Sequence, residues 1–227
     1  MARAGTLLFE PVREAVTACV TKFGGQPCWL KAPQWPLSRA TGQPMRFIAQ
    51  VALEAPLFAG TGGRMAYLFM TDDPEQYVDG TWEPEGGENA VVVQPGHFTG
   101  PAVALAQGPS LYRMAEVAGE AQLQPQAVEF RVQLRFVEEP GHQPESVRGE
   151  WTQEQQESRA RALEGSKVGG TPGFLQGDEF PQPGDWKLLL QLDSTTVPFY
   201  VNFGDAGIGY AFIDQAEQEG RFLWQCC

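Results

Sequence analysis

The chain predicts an α+β fold, mostly antiparallel sheet, in two pseudo-symmetric halves with a few flanking helices. Three observations lead there. One nine-residue pattern occurs twice. Short apolar runs alternate with turn residues throughout, and the 227 residues include 26 Gly and 18 Pro, which suits short strands and turns better than helical bundles. Two segments carry helical signals, residues 11–23 by periodicity and residues 152–163 by capping.

The first copy of the pattern is Lys22-Phe23-Gly24-Gly25-Gln26-Pro27-Cys28-Trp29-Leu30, followed by Trp35-Pro36. The second is Lys167-Val168-Gly169-Gly170-Thr171-Pro172-Gly173-Phe174-Leu175, followed by Phe180-Pro181. The sequels match too: Phe47-Ile48-Ala49-Gln50-Val51 answers Leu188-Leu189-Leu190-Gln191-Leu192, and Ala66-Tyr67-Leu68-Phe69 answers Gly209-Tyr210-Ala211-Phe212. Such a match reads as two copies of one supersecondary unit, with halves at residues 1–140 and 141–227 of one compact domain. The glycine pairs, Gly24-Gly25 and Gly169-Gly170, permit φ > 0 and close chain approach. Pro27 and Pro172 fix φ, and Trp29 and Phe174 supply buried anchors. No phosphate-loop glycine pattern surrounds either pair, so both turns read as architecture.

Along the chain, Pro11 opens a predicted helix over residues 11–23. Val12, Ala15, Val16, Cys19, Val20 and Phe23 form its apolar stripe and Gly24 ends it. Strands are expected at Met45–Leu53 and Met65–Thr71, as an antiparallel pair. Residues 72–88 read as irregular. They hold Asp72, Asp73, Glu75, Asp79, Glu83, Glu85 and Glu88, with Tyr77 and Trp82 between them, and no Lys or Arg occurs from Met65 through Tyr112. Asn89–Val93 is a short strand, Gly100–Gly108 a loop or edge strand, and Leu111–Val117 a helical turn. Val128–Phe136 alternates apolar and polar residues, as a half-exposed antiparallel strand does. Glu138–Arg148 is a linker between the halves. Thr152 with Gln155 makes a capping box for a surface helix running to about Leu163. Strands follow at Trp186–Asp193, Val197–Asn202, Ile208–Ile213 and Phe222–Cys227, with Gly204-Asp205-Ala206-Gly207 as a tight turn.

Composition excludes several functions. The net charge of −12 argues against nucleic acid and anionic membrane and suits a basic protein partner. No apolar run approaches the ~20 residues of a membrane helix, and the start of the chain lacks a secretory signal's apolar segment, so the cytoplasm is expected. Cys19, Cys28, Cys226 and Cys227 have no metal or framework spacing and are expected as reduced thiols. No metal or cofactor is expected. His97 and His142 read as loop residues. Asp178, Glu179, Asp185 and Asp205 cluster near the second turn, but no catalytic motif joins them, so an enzyme is the least favoured class.

The paired turns, the apolar-Gln-apolar strands, Gly204-Asp205-Ala206-Gly207 and the closing Gln225-Cys226-Cys227 resemble the bacterial YwqG-like family, a domain of unknown function. The likeness runs from about residue 10 to the end. A more distant similarity is to the eukaryotic programmed-cell-death-2 proteins, which escort a ribosomal protein. Their zinc-knuckle cysteines correspond here to Ser38 and Thr41, before Gly42, so no metal is carried over. The resemblance to domains in toxin–immunity loci implies a non-enzymatic immunity protein that covers a basic, nuclease-like toxin. Escort of a basic ribosomal-type protein is the alternative. The expected contact residues are Asp72, Asp73, Glu75, Tyr77, Asp79, Trp82, Glu83 and Glu85, since acidic side chains interleaved with exposed aromatics suit a basic surface.

Overall fold

The computed structural model describes the chain except residues 61, 62, 74, 75, 119 and 121. Its first part supplies β1 (Ala2–Pro11), β2 (Lys22–Gly24), β3 (Trp35–Pro36), β4 (Arg46–Ala52), β5 (Met65–Met70), β6 (Asn89–Gln94) and β7 (Ala102–Val103). Then come β8 (Tyr112–Ala115), β9 (Gln124–Ala127), β10 (Glu129–Glu139), α1 (Glu145–Arg148), α2 (Gln153–Leu163), β11 (Lys167–Gly169), β12 (Trp186–Asp193), β13 (Ile208–Asp214) and β14 (Gly220–Gln225). Ten strands form one antiparallel sheet in the order β14-β13-β12-β11-β1-β10-β2-β4-β5-β6. The sheet curls until β14 and β6 lie side by side, so it approaches a closed barrel. The loop from Thr81 to Glu85 helps hold this seam: Glu85 pairs with Arg221 on β14 at 2.7 Å, and Trp224 Nε1 donates to Thr81 Oγ1 at 3.3 Å.

Burial on both faces explains the uninterrupted apolar runs of β5 and β6, every residue of which is buried. Inside the curl lies one hydrophobic cluster that draws on both ends of the chain, from Leu7, Phe23, Val51 and Leu68 to Val168, Leu190, Ile213 and Phe222. Phe199 plugs it, stacked on Phe23 at 5.8 Å and edge-on to Phe9 at 5.6 Å. Two smaller layers cover the outer faces. Trp35, Phe47, Tyr67 and Phe69 lie under Trp29 and Phe98, and Leu188, Tyr210, Phe212 and Leu223 lie under Phe174 and Phe180.

Several expectations need correction. The protein is β-rich, with 37% strand and 7% helix, and is not α+β. Residues 11–23 are not a helix. Pro11 instead ends β1, and the backbone that an i→i−4 ladder would use is committed elsewhere: Val16 N donates to Glu129 Oε1, while Val16 O and Val20 O accept from Lys22 Nζ and Gln50 Nε2. Of the predicted stripe before the turn, only Val16 is buried. Two cysteines are not free thiols, because this path brings the Cys19 and Cys28 Cα atoms to 5.3 Å and they form a disulfide. Cys226 and Cys227 are free.

Leu111–Val117 is extended rather than helical, since Tyr112–Ala115 pairs with β9. Val197–Asn202 is not a strand. Pro198 lacks an N–H to donate, and the segment is spent on inserting Phe199 into the core. Glu138 and Glu139 belong to β10 rather than to a linker. The N-terminal residues, left unassigned by sequence, form β1, which runs between β10 and β11. The expected strands at residues 45–53, 65–71, 89–93 and 186–193 and the Thr152–Gln155 capping box are present, with element ends shifted by a residue or two.

A digest of unreduced, alkylated protein should therefore contain a Cys19–Cys28 linked peptide and label at Cys226 and Cys227 only. Replacing Cys19 and Cys28 by serine should cost about 2–3 kcal/mol in urea denaturation, the chain-entropy value for a loop of this size. Free Cys19 in the native digest would contradict the pairing.

Candidate functional site

Three places gather polar chemistry: the two glycine turns, the acidic loop, and a cleft beneath α2. At the first turn Lys22 is buried and its Nζ donates to Glu129 Oε1 at 2.6 Å and to Val16 O at 2.8 Å. At the second, Lys167 is buried and its Nζ meets Glu139 Oε2 at 2.9 Å, while Glu139 Oε1 accepts from Thr171 N. A side chain on Gly25 (φ 64°) would fall inside the Glu129 carboxylate, and one on Gly170 (φ 84°) inside that of Glu139. Glycine is needed at both positions so that the carboxylate can lie against the chain. Burial pulls the Lys167 ammonium below its usual range, and the bond to Glu139 opposes that.

The residues after each turn are held by the same side-chain types. Gln50 Oε1 accepts from Cys28 N at 2.8 Å, and Gln191 Oε1 accepts from Gly173 N at 2.9 Å. Tyr67 OH donates to Cys28 O at 2.7 Å, and Tyr210 OH donates to Gly173 O at 2.8 Å. Gln94 receives Lys31 N and Gln225 receives Leu175 N. Register irregularities also correspond, at Ile48 in β4 and Leu189 in β12. These turn residues act on backbone, and Trp29 and Phe174 lie in the aromatic layers over Phe69 and Phe212.

The structure divides the expected contact residues. Asp72 pairs with Arg46 Nε at 2.7 Å and Glu85 with Arg221, so both are engaged within the fold. Asp73 accepts from the Gln76 backbone and side chain. Tyr77 is 84% exposed, with its OH 3.3 Å from Asp79 Oδ1, and the Asp79 charge raises the phenol above its usual range. Trp82 is 40% exposed and Glu83 is exposed. Glu75 lies outside the described residues. Glu88, which sequence grouped with these acids, is buried and ties the loop's base instead. Its carboxylate accepts from Thr71 Oγ1 at 2.7 Å, Ser38 Oγ at 2.6 Å and Ala40 N at 2.7 Å, and Thr71 N donates to Glu88 O. Ser38 and Thr41 thus form a hydrogen-bonded turn on a carboxylate, with Thr41 N donating to Ser38 Oγ at 3.1 Å.

Sequence reading missed the third place. His142 Nε2 lies 3.7 Å from Asp178 Oδ2, and Arg148 Nη2 donates to Asp178 Oδ1. These residues line a cleft of about 630 Å³ with Trp151, Arg159 and Phe174. His142 and Asp178 stand 36 positions apart in the sequence, and no spacing signal joins them. Of the other acids near the second turn, Glu179 accepts from Gln225 Nε2 at 2.9 Å, and neither Asp185 nor Asp205 lines the cleft. His97 is exposed beyond β6. Among the described residues no group of three His, Cys, Asp or Glu side chains is placed to hold a metal ion, and no helix is long and apolar enough to cross a membrane.

Residues 21–222 match the model of a domain of unknown function, DUF1963, and the chain belongs to that family. No curated protein matches it.

Two outcomes follow from the buried turns. Lys167→Met leaves Glu139 buried without its cation and should cost about 3–5 kcal/mol, with Lys167→Met/Glu139→Gln recovering part of that in a denaturant series. Burial pushes the Tyr67 phenol up to about 12, and burial also raises that of Tyr210. Both are neutral donors in the folded state, so their contribution is complete below pH 10, where the unfolded phenols are also neutral. It declines above pH 10, and the Tyr67 share is lost as pH passes about 12. Stability measured from pH 9 to 12 should fall less steeply in Tyr67→Phe/Tyr210→Phe than in the parent.

Proposed function

We propose that this is a non-enzymatic binding module that docks a basic protein on the acidic loop. In its narrower form the partner is a nuclease-like toxin whose surface the protein occludes, as an immunity protein does. The observation that carries the reading is the exposure of Tyr77 and Trp82 beside Asp79 and Glu83, on a loop whose base is bonded through Glu88 and whose far side is tied to β14. Aromatic anchors amid acids favour a basic partner, and a loop held at both ends loses little entropy on binding. Asp72 and Glu85 leave the contact set, because docking on them would break ion pairs of the fold.

The reading places the protein in the cytoplasm with its partner. The Cys19–Cys28 disulfide weighs against that, since reducing compartments keep thiols free.

Tagged protein captured from its native host and washed at low and then high salt should retain one stoichiometric basic partner. Tyr77→Ala/Asp79→Lys/Glu83→Lys should then raise Kd by about 30-fold or more, from roughly 2 kcal/mol or more of lost desolvated charge contacts. The association rate should fall with salt, and Tm should stay that of the parent. Unchanged affinity removes the loop as the interface. A ribosomal protein as the retained partner turns the reading to escort.

A further inference from the structure

The corresponding spaces above the two glycine turns are treated differently. Above the first, Trp29 is covered: its Nε1 donates to Ala106 O at 3.2 Å, and Phe98 and Leu105 pack on the same aromatic layer. Above the second, Phe174 borders the 630 Å³ cleft left beneath α1 and α2, a volume within the usual range of small-molecule sites.

Most charges in this cleft are already engaged. Asp178 is shared by Arg148 and His142, and Arg148 Nε donates to Gln143 O at 3.0 Å. Glu157 accepts from Gln153 at 2.8 Å and lies 3.7 Å from Arg161. Glu145 and Glu164 are exposed at the rim. Arg159 differs. It is half-buried on α2 with its guanidinium 5.7 Å from the centre of the Trp151 ring, and among the described residues it has no ion pair or hydrogen bond. Burial, and then repulsion from Arg148, lowers its proton affinity against the pull of Asp178 and Glu139. A half-buried guanidinium with five free donors, one face on an aromatic ring, is placed to receive a planar anion.

We propose that the cleft binds a small organic anion, a carboxylate or phosphate on a flat apolar body, with the anionic group on Arg159 and the body against Trp151 and Phe174. This site is separate from the acidic loop. It stands or falls without the protein-docking reading.

Phenyl phosphate and benzoate, titrated into the full chain by calorimetry and amide NMR, test it. At least one should bind saturably at a single site about tenfold more tightly than inorganic phosphate or benzyl alcohol. Its shift changes should centre on Trp151, Arg159 and Phe174. Arg159→Gln should weaken that binding about tenfold or more, and Arg159→Lys, which keeps the charge without the fork, should weaken it less. Arg135→Gln, at an exposed position on β10 outside the cleft, should leave it unchanged. Phosphate or carboxylate preference is read from which probe binds. The proposal is overturned if neither probe saturates below roughly 10 mM, if shifts fall outside the cleft, or if folded Arg159→Gln and Arg159→Lys both bind as the parent does.

Discussion

The structure depends on two buried lysine–glutamate pairs whose carboxylates come from one strand. Glu129 and Glu139 are the first and last residues of β10, ten positions apart, so the two-residue period of a strand turns both to the same face. That face is the outer one. At one end it receives Lys22 and at the other Lys167, each arriving on a three-residue strand too short to hold its own place. A buried charge without its partner is costly, so each turn has little alternative to packing its glycine over the carboxylate. Once both turns are seated, Gln50 and Gln191, then Tyr67 and Tyr210, fix the chain that follows. We propose that the two turns are copies of one unit, because the same residue types perform the same bonds at both.

This shared scaffold leaves its differences at the surface. Following the first turn, the stretch from Gln76 to Glu88 ties to β14 through Thr81 and Glu85 and offers aromatic and acidic side chains outward. Beside the second, α1 and α2 leave a cleft whose Arg159 guanidinium has no ion pair among the described residues. A loop with a bonded base and a cleft with a single uncommitted cation are different recognition surfaces. Neither uses the buried lysine–glutamate pairs.

Local signals were legible in the sequence, and committed backbone was not. Thr152 and Gln155 form their capping box because everything it needs lies within four residues. The runs at Arg46–Ala52, Met65–Met70 and Trp186–Asp193 were readable because apolar residues flanked by turn formers have few other fates. Residues 11–23 misled because their helical stripe says nothing of Lys22 and Gln50, which take the Val16 and Val20 carbonyls away from any helix. That same path makes the Cys19–Cys28 bond, which spacing alone did not show. β1 went unread because Ala2-Arg3-Ala4-Gly5 has neither period, and its strand character comes from β10 and β11 on either side. The acids of the loop were found as a group, but their division into seam ties, base and exposed side chains needed Arg46, Arg221 and Ser38 in place.

If β10 joins both turns into one unit, β4 and β5 should open together with β12 and β13. Native-state hydrogen exchange across a denaturant series tests this most directly. The account predicts that the slowest amides of all four strands converge on one opening free energy equal to that of global unfolding. It predicts that Glu129→Gln lowers protection in β12 and β13 as well as in β4 and β5. Independent opening of either strand pair, or a loss confined to β4 and β5, would contradict it.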